Sequence, residues 1–209
     1  MRKFFAVLVI LLCGCAKMVP CASNNVYVPP PVIPVKINPI QQIVNLYNQY
    51  RLSVNEPILT KGLSCSLYTV PNTTLSIARA REDYVGTFTY TGVFNQPNVP
   101  AEDGLNILPP SIQSFYTQWF IVKCSGNLVI PNSDFYRFDL SSDDGSLLYI
   151  DGEFINNDGL HSVETVSNVK YLSTGIHSFE LDYLEGPAGY EALILDMNEK
   201  VLNSEYFWH

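Results

Sequence analysis

The sequence predicts an all-β protein: an antiparallel β-sandwich with a short amino-terminal helix and a Pro-rich tether. Three observations carry this. Apolar side chains alternate with period two, Tyr136, Phe138 and Leu140 against Phe135, Arg137 and Asp139, and Phe179, Leu181 and Tyr183 against Ser178, Glu180 and Asp182. The apolar runs are short and punctuated by Gly, Pro, Asn and Asp. Aromatic residues are plentiful, 13 Tyr and 11 Phe, which suits half-buried pleated surfaces better than helices. With 209 residues, 47% hydrophobic and 15% charged, the chain can fill the core of one domain with appendages and is not a disordered polymer.

The amino terminus reads as an export signal over residues 1–14. Arg2 and Lys3 precede a continuous apolar run from Phe4 to Leu12, too short for the ~20 residues of a spanning helix. Leu12-Cys-Gly-Cys15 resembles a bacterial lipobox, which implies lipidation at Cys15; Cys13 departs from the small Ala or Ser usual there. Cleavage near Ala22, leaving a soluble protein, is the alternative. Lipidation would tie the chain to a membrane through a lipid anchor. Ala16 after the cysteine resembles sorted lipoproteins of the outer membrane, so the expected location is the bacterial cell envelope.

The net charge of the full chain is −8. Without Arg2 and Lys3 it is −10, and no basic cluster is left, which argues against a nucleic-acid partner.

Residues 15–39 form the tether. Pro29, Pro30, Pro31, Pro34 and Pro39 favour an extended, fairly stiff spacer. Residues 40–60 hold a short helix and a connection. Asn38 and Pro39 suit its cap and first position, and Ile40, Ile43, Val44, Tyr47 and Tyr50 follow helical spacing, as for a helix packed on the sandwich edge. Pro57 ends the segment.

Residues 61–209 are the sandwich. Strands are expected at Thr87 to Thr91, Ser114 to Val122, Ser178 to Tyr183 and Glu191 to Met197, with a long polar loop between Gly92 and Pro110. Cys65 and Cys124 both lie inside it, and an exported chain permits a disulfide between them. Cys21 is left in the tail. Zinc is the weaker reading, because no Cys-x-x-Cys occurs.

The stretch from Tyr136 to Gly152 breaks at Asp143-Asp144-Gly145. Asp-Gly is a hairpin signal, and it recurs at Asp151-Gly152 and Asp158-Gly159, which reads as successive hairpin turns. Two adjacent carboxylates also suggest a cation site, provided the chain is bent between them, since neighbours on an extended backbone face opposite ways. An EF-hand is excluded, because Phe154 stands where its first Asp should be.

Ser142-Asp-Asp-Gly-Ser-Leu-Leu-Tyr-Ile-Asp-Gly152, then Asn157-Asp-Gly-Leu-His161, Tyr171-Leu-Ser-Thr-Gly-Ile-His177 and Tyr183-Leu-Glu-Gly-Pro187, resemble the β-sandwich domain named after bacterial protective antigen, from about Gly62 to Met197. The family's sugar-binding adhesins hold calcium on an Asp-cis-Asp pair, which the resemblance places at Asp143 and Asp144. The loop from Glu185 to Tyr190 would close over the ion, with Glu185 where the family often has Gln. Tyr190 could stack on a sugar face. Calcium suits carboxylate, carbonyl and water oxygens. The turn-only reading of Asp143 and Asp144 stays open beside it.

Catalysis is not expected. Adjacent carboxylates do not suit glycoside hydrolysis, no Gly-x-Ser-x-Gly occurs, and no Cys-His pairing is evident. His161, His177 and His209 are too scattered for a zinc site; the first two read as turn or edge residues. Three functions remain: a calcium-dependent carbohydrate-binding adhesin, a structural or protein-binding envelope module, and an accessory domain for an envelope enzyme.

Overall fold

The computed structural model describes residues 37–83, 87–94, 99–102, 117–187 and 189–209. Cys13, Cys15, Cys21 and nearly all of the tether lie outside them. No helix among the described residues is long and apolar enough to cross a membrane.

Helix α1 (Pro39–Ser53) is capped by Asn38, whose side chain accepts a hydrogen bond from the Ile40 N–H at 2.9 Å, with Pro39 in the first turn. Its buried residues Ile40 and Val44 pack with Leu59, Val129 and Trp208. The helix thus covers an outer sheet face beside Val129, where an edge position was expected.

Among the described residues twelve strands follow: β1 (Leu63–Thr69), β2 (Thr87–Phe94), β3 (Val99–Glu102), β4 (Phe120–Ile130), β5 (Asp134–Asp143), β6 (Ser146–Ile150), β7 (Glu153–Asn157), β8 (Glu164–Leu172), β9 (Gly175–Glu185), β10 (Glu191–Met197), β11 (Lys200–Val201) and β12 (Phe207–Trp208). One sheet has the order β2-β1-β4-β9-β6-β7, with β12 pairing β4 beyond the end of β1. The other has the order β11-β10-β5-β8, with β3 on β10. Every pairing is antiparallel. Tyr136, Phe138 and Leu140 meet Leu128, Leu148, Phe179, Leu181 and Phe207 in the core between the sheets. Cys65 and Cys124 face each other across β1 and β4 and form the expected disulfide.

Several expectations need correction. The span between Gly92 and Pro110 contains the end of β2 and all of β3, so it is not one loop. The strand expected from Ser114 starts at Phe120, after a bend at 117–119 in which Trp119 has φ 57°; residues 114–116 lie outside the described set. Asp182, expected on a wet face, is fully buried. Helix α2 (Ile77–Asp83), absent from the sequence reading, explains this: Ile77 and Ala80 form a second apolar cluster with Ile121, Leu147 and Leu184, covering that part of the outer face of β9.

The Asp-Gly turns also differ from one another. Asp151-Gly152 is the expected two-residue hairpin between β6 and β7, with φ 51° and 80°. Asp144-Gly145 is no hairpin, because β5 and β6 belong to different sheets; Asp158-Gly159 likewise begins the crossing from β7 to β8. The two crossovers touch, since a Cβ on Gly145 would meet Gly159 N and O at 2.7 Å, leaving room only for glycine. Asp158 also reaches back 81 residues, where its carboxylate accepts from the Ile77 N–H at 2.6 Å and the Ala78 N–H at 3.0 Å and caps α2.

Candidate functional site

The crossover between β5 and β6 places Asp143 and Asp144 at one end of the sandwich, and the peptide joining them is cis. Beneath them is a buried polar network. Ser142 and Ser146 hydroxyls are 2.7 Å apart, Asn157 Nδ2 donates to Ser142 Oγ at 2.9 Å and to the Glu164 carbonyl at 3.0 Å, and the Leu184 N–H donates to the Gly145 carbonyl at 2.8 Å. These bonds tie both crossovers to β9, so the acid turn is held from several elements.

Asp144 is buried. Its carboxylate accepts from the His161 N–H at 3.0 Å and the Gly186 N–H at 2.9 Å. Gly186 sits so close that a Cβ there would meet Leu160 Cδ2 at 2.5 Å and Asp144 Oδ2 at 3.1 Å. Burial raises the carboxyls of both aspartates above their usual range. The charge of Asp144 adds to the rise at Asp143, while the two backbone hydrogen bonds pull Asp144 back.

The end of β9 brings in Glu185, 1% exposed. Burial pushes its carboxyl up to about 8; the Tyr183 hydrogen bond opposes this, and the charges of Glu191, Asp144 and Asp143 add to it. The Tyr183 hydroxyl lies 2.6 Å from the Asp143 carbonyl and also contacts Glu185 Oε2. Glu185 Oε1 is buried with no hydrogen-bond partner. Glu191, at the start of β10, is 3% exposed, leaves Oε2 unpartnered, and is pushed up to about 7 by burial. Ala192 pairs with Asp143, so Tyr190, 60% exposed, lies at this same end.

Sequence reasoning placed Asp143, Asp144, Glu185 and Tyr190 in this region. It missed Glu191, placed Gly186 only within the closing loop, and read His161 as a turn or edge residue. His161 is more than a turn residue, because its backbone holds Asp144. Its ring nitrogens are each 3.0 Å from a carbonyl, those of Ser162 and Asn157. Burial would lower this imidazole; the two carbonyls and the charges of Glu164 and Asp144 hold it above the usual value. His177, expected in a turn or edge, is a buried residue of β9 bonded through Nδ1 to Asp151 at 2.6 Å.

Calcium is the ion that the resemblance implies at this donor set. Among the described residues, no three His, Cys, Asp or Glu side chains form a ready-made metal cage. The chemistry nevertheless fits. Hard oxygen groups are crowded and dehydrated, and Glu185 Oε1 and Glu191 Oε2 have no hydrogen-bond partner. Calcium completes its shell of six to eight oxygens with carbonyls and water as well as carboxylates.

Residues 85–198 match the PA14 domain family, and the chain belongs to it. Among solved structures, the PA14 domain of MpAFP antifreeze protein shares 18% identity and a TM-score of 0.58, covering 73% of this chain and 92% of that one. The PA14 sugar-binding domain from an RTX adhesin shares 20% and 0.57, covering 72% and 99%. The A domain of epithelial adhesin 9 from Candida glabrata, in complex with Galβ1-3GlcNAc, shares 11% and 0.52, covering 72% and 89%. No curated protein matches the chain in sequence.

Proposed function

We propose that this domain is a carbohydrate-binding module of the bacterial cell envelope, with calcium held at the Asp143–Asp144 end. The observation that carries the reading is the buried acid cluster of Asp144, Glu185 and Glu191 around an unpartnered Glu185 oxygen. Buried carboxylates crowd together at a cost unless a cation offsets their charge. Asp143, Asp144 and the loop beginning at Glu185 would hold the ion, and Tyr190 would offer its ring to a sugar. Calcium, when bound, supplies a charge that sugar hydroxyls can coordinate. The adhesin neighbours, one a sugar-binding domain and one bound to a disaccharide, support the sugar class. In this reading the module binds sugar and catalyses nothing, in keeping with its adhesin neighbours.

Attachment through a lipid on Cys15 is part of the same reading. Mass spectrometry of the mature amino terminus should show the acyl mass, and Cys15→Ser should release the protein from membranes.

The test is a glycan array probed with calcium-loaded and chelator-treated protein. Binding is expected only with calcium, and Asp144→Asn should abolish it. Equal glycan binding in both states would overturn the calcium requirement. Absence of any glycan binding by folded, calcium-loaded protein would favour the protein-binding module instead.

A further inference from the structure

The exposed apolar side chains of this domain gather at α1. Ile37, Leu46, Tyr50, Leu52, Val54 and Ile58 are each 46% to 68% exposed, and all six belong to the helix or to the residues beside it. Leu46, Tyr50 and Val54 follow at intervals of four, so they line one flank of the helix as far as its C-cap. Ile40 and Val44 bury the helix against Val129 and Trp208, and none of the three flank residues shares in that cluster. The helix is thus already held to the sheet, and its apolar flank is left for another surface. Carboxylates are absent from it. α1 contains no Asp or Glu, and Arg51, its one basic residue, is engaged by Glu56 at 3.8 Å and by the Tyr47 ring. Glu205, near the start of the helix, accepts from Asn38 Nδ2 at 3.2 Å.

Charge decides what that surface is. From Met1 to Asn55 the chain has five basic residues and no Asp or Glu. Lys17, Lys36 and Arg51 remain once the export signal is removed. All 20 acidic residues come later, against seven basic ones. So strong an asymmetry within one chain is a sign of contact with a charged surface. An anionic bilayer attracts a basic segment by about fivefold in affinity for each Lys or Arg near it, and it repels the acidic sandwich. The chain therefore approaches such a surface by its amino-terminal side, where α1 is the first element. A helix flank of Leu and Tyr without carboxylates suits the boundary between headgroups and acyl chains, with the Tyr ring in the apolar layer and its hydroxyl in water. Two copies of so acidic a chain repel each other, which disfavours a dimer through the same flank. The exposed group of Phe135, Val169 and Tyr171 does not meet the same condition, because Asp134 and Asp139 stand beside it on β5.

We propose that the Leu46–Tyr50–Val54 flank of α1 docks on an anionic lipid bilayer. This contact is separate from the acid cluster and from any acyl chain on Cys15, because it is read at the helix itself. The test uses the mature full-length protein on phosphatidylcholine vesicles with and without phosphatidylglycerol, the lipids being brominated on acyl carbons close to the headgroup. Leu46→Trp and Tyr50→Trp report contact by fluorescence quenching, after subtraction of the wild-type signal of Trp119 and Trp208. Quenching is expected at both positions with phosphatidylglycerol and not at Tyr171→Trp. Chelation and Asp144→Asn, which remove the proposed calcium site, should leave it unchanged. Read with the Tyr50→Trp reporter, Leu46→Ser should weaken docking about tenfold. Gln42→Glu, four residues before Leu46, keeps the apolar flank and adds a negative charge to it, and should weaken docking about fivefold. Quenching at 46 and 50 no greater than at 171 would overturn the proposal. So would equal quenching with and without phosphatidylglycerol. Loss of iodide access to residue 46 on raising protein concentration without lipid would make the occupant a second copy and overturn it as well.

Discussion

Asp144 shows how one side chain joins a fold to a site. Its carboxylate is held by backbone N–H groups from two loops, so replacing it tests charge and structure together. Asp144→Asn nearly conserves shape. The expected outcome is a folded protein whose melting temperature no longer rises with calcium; the wild type should gain roughly 3 kcal/mol at a hundredfold excess over Kd.

Glu185 and Glu191 give a pH dependence whose sign is fixed by their upward shifts to about 8 and about 7. A raised carboxyl ionises less readily in the folded chain than in the unfolded one, whose value is about 4.3. Stability from this source is greatest below about 4 and declines as pH climbs through the folded values. Ion-free protein should therefore melt lower at about pH 8 than at about pH 5, and Glu191→Gln should flatten the slope. Asp151 behaves oppositely. Burial would raise it, but hydrogen bonds from His177 and Ser178 hold it below the usual range, so its contribution is lost only under strong acid.

At the scale of elements, the strands were legible and the crossovers were not. Tyr136, Phe138 and Leu140 could be assigned to the core because period-two alternation is a local signal, and Glu191 to Met197 matches β10 residue for residue. Asp144-Gly145 and Asp158-Gly159 look the same in sequence as the true hairpin at Asp151-Gly152, because the sheet that receives the next strand is decided by distant pairing. Helix α2 was missed for the same reason. Its seven residues carry little apolar periodicity, and beside the local Ser76 cap the first two N–H groups are bound by Asp158, far along the chain. The acid pair and Glu185 could be named from the family's pattern, but Glu191 could not, since its burial depends on how the β9–β10 turn folds back. Asp158→Ala should cost about 1 kcal/mol by uncapping α2. Denaturant titration checks the value, and exchange at the Ile77 and Ala78 amides should accelerate in that variant.

Across the whole molecule, the Cys65–Cys124 bond closes a loop with a sequence separation of 59 and joins β1 to the central strand β4. Chain-entropy arguments put its contribution at about 4 kcal/mol. Reduced and alkylated protein should show a lower unfolding midpoint by up to that amount, measured without calcium so that ion binding does not mask the change.

Strand β4 runs from Phe120, opposite Glu185 at the acid end, to Ile130, opposite Gly175. Asn38 is bonded to Glu205, near the Ile130 end, whereas β12 runs from Leu128 toward the middle of β4 and leaves His209 bonded to Thr60. An attachment at the amino end and a ligand on the acid cluster would thus pull from opposite poles, along the strand axes. Tension in that direction loads all eleven residue pairs of β4 and β9 in shear at once instead of peeling them one by one. A domain held this way in flowing liquid should yield at a much higher force than the same domain pulled between Asn38 and His209, where the load falls first on the two hydrogen bonds between Thr60 and His209.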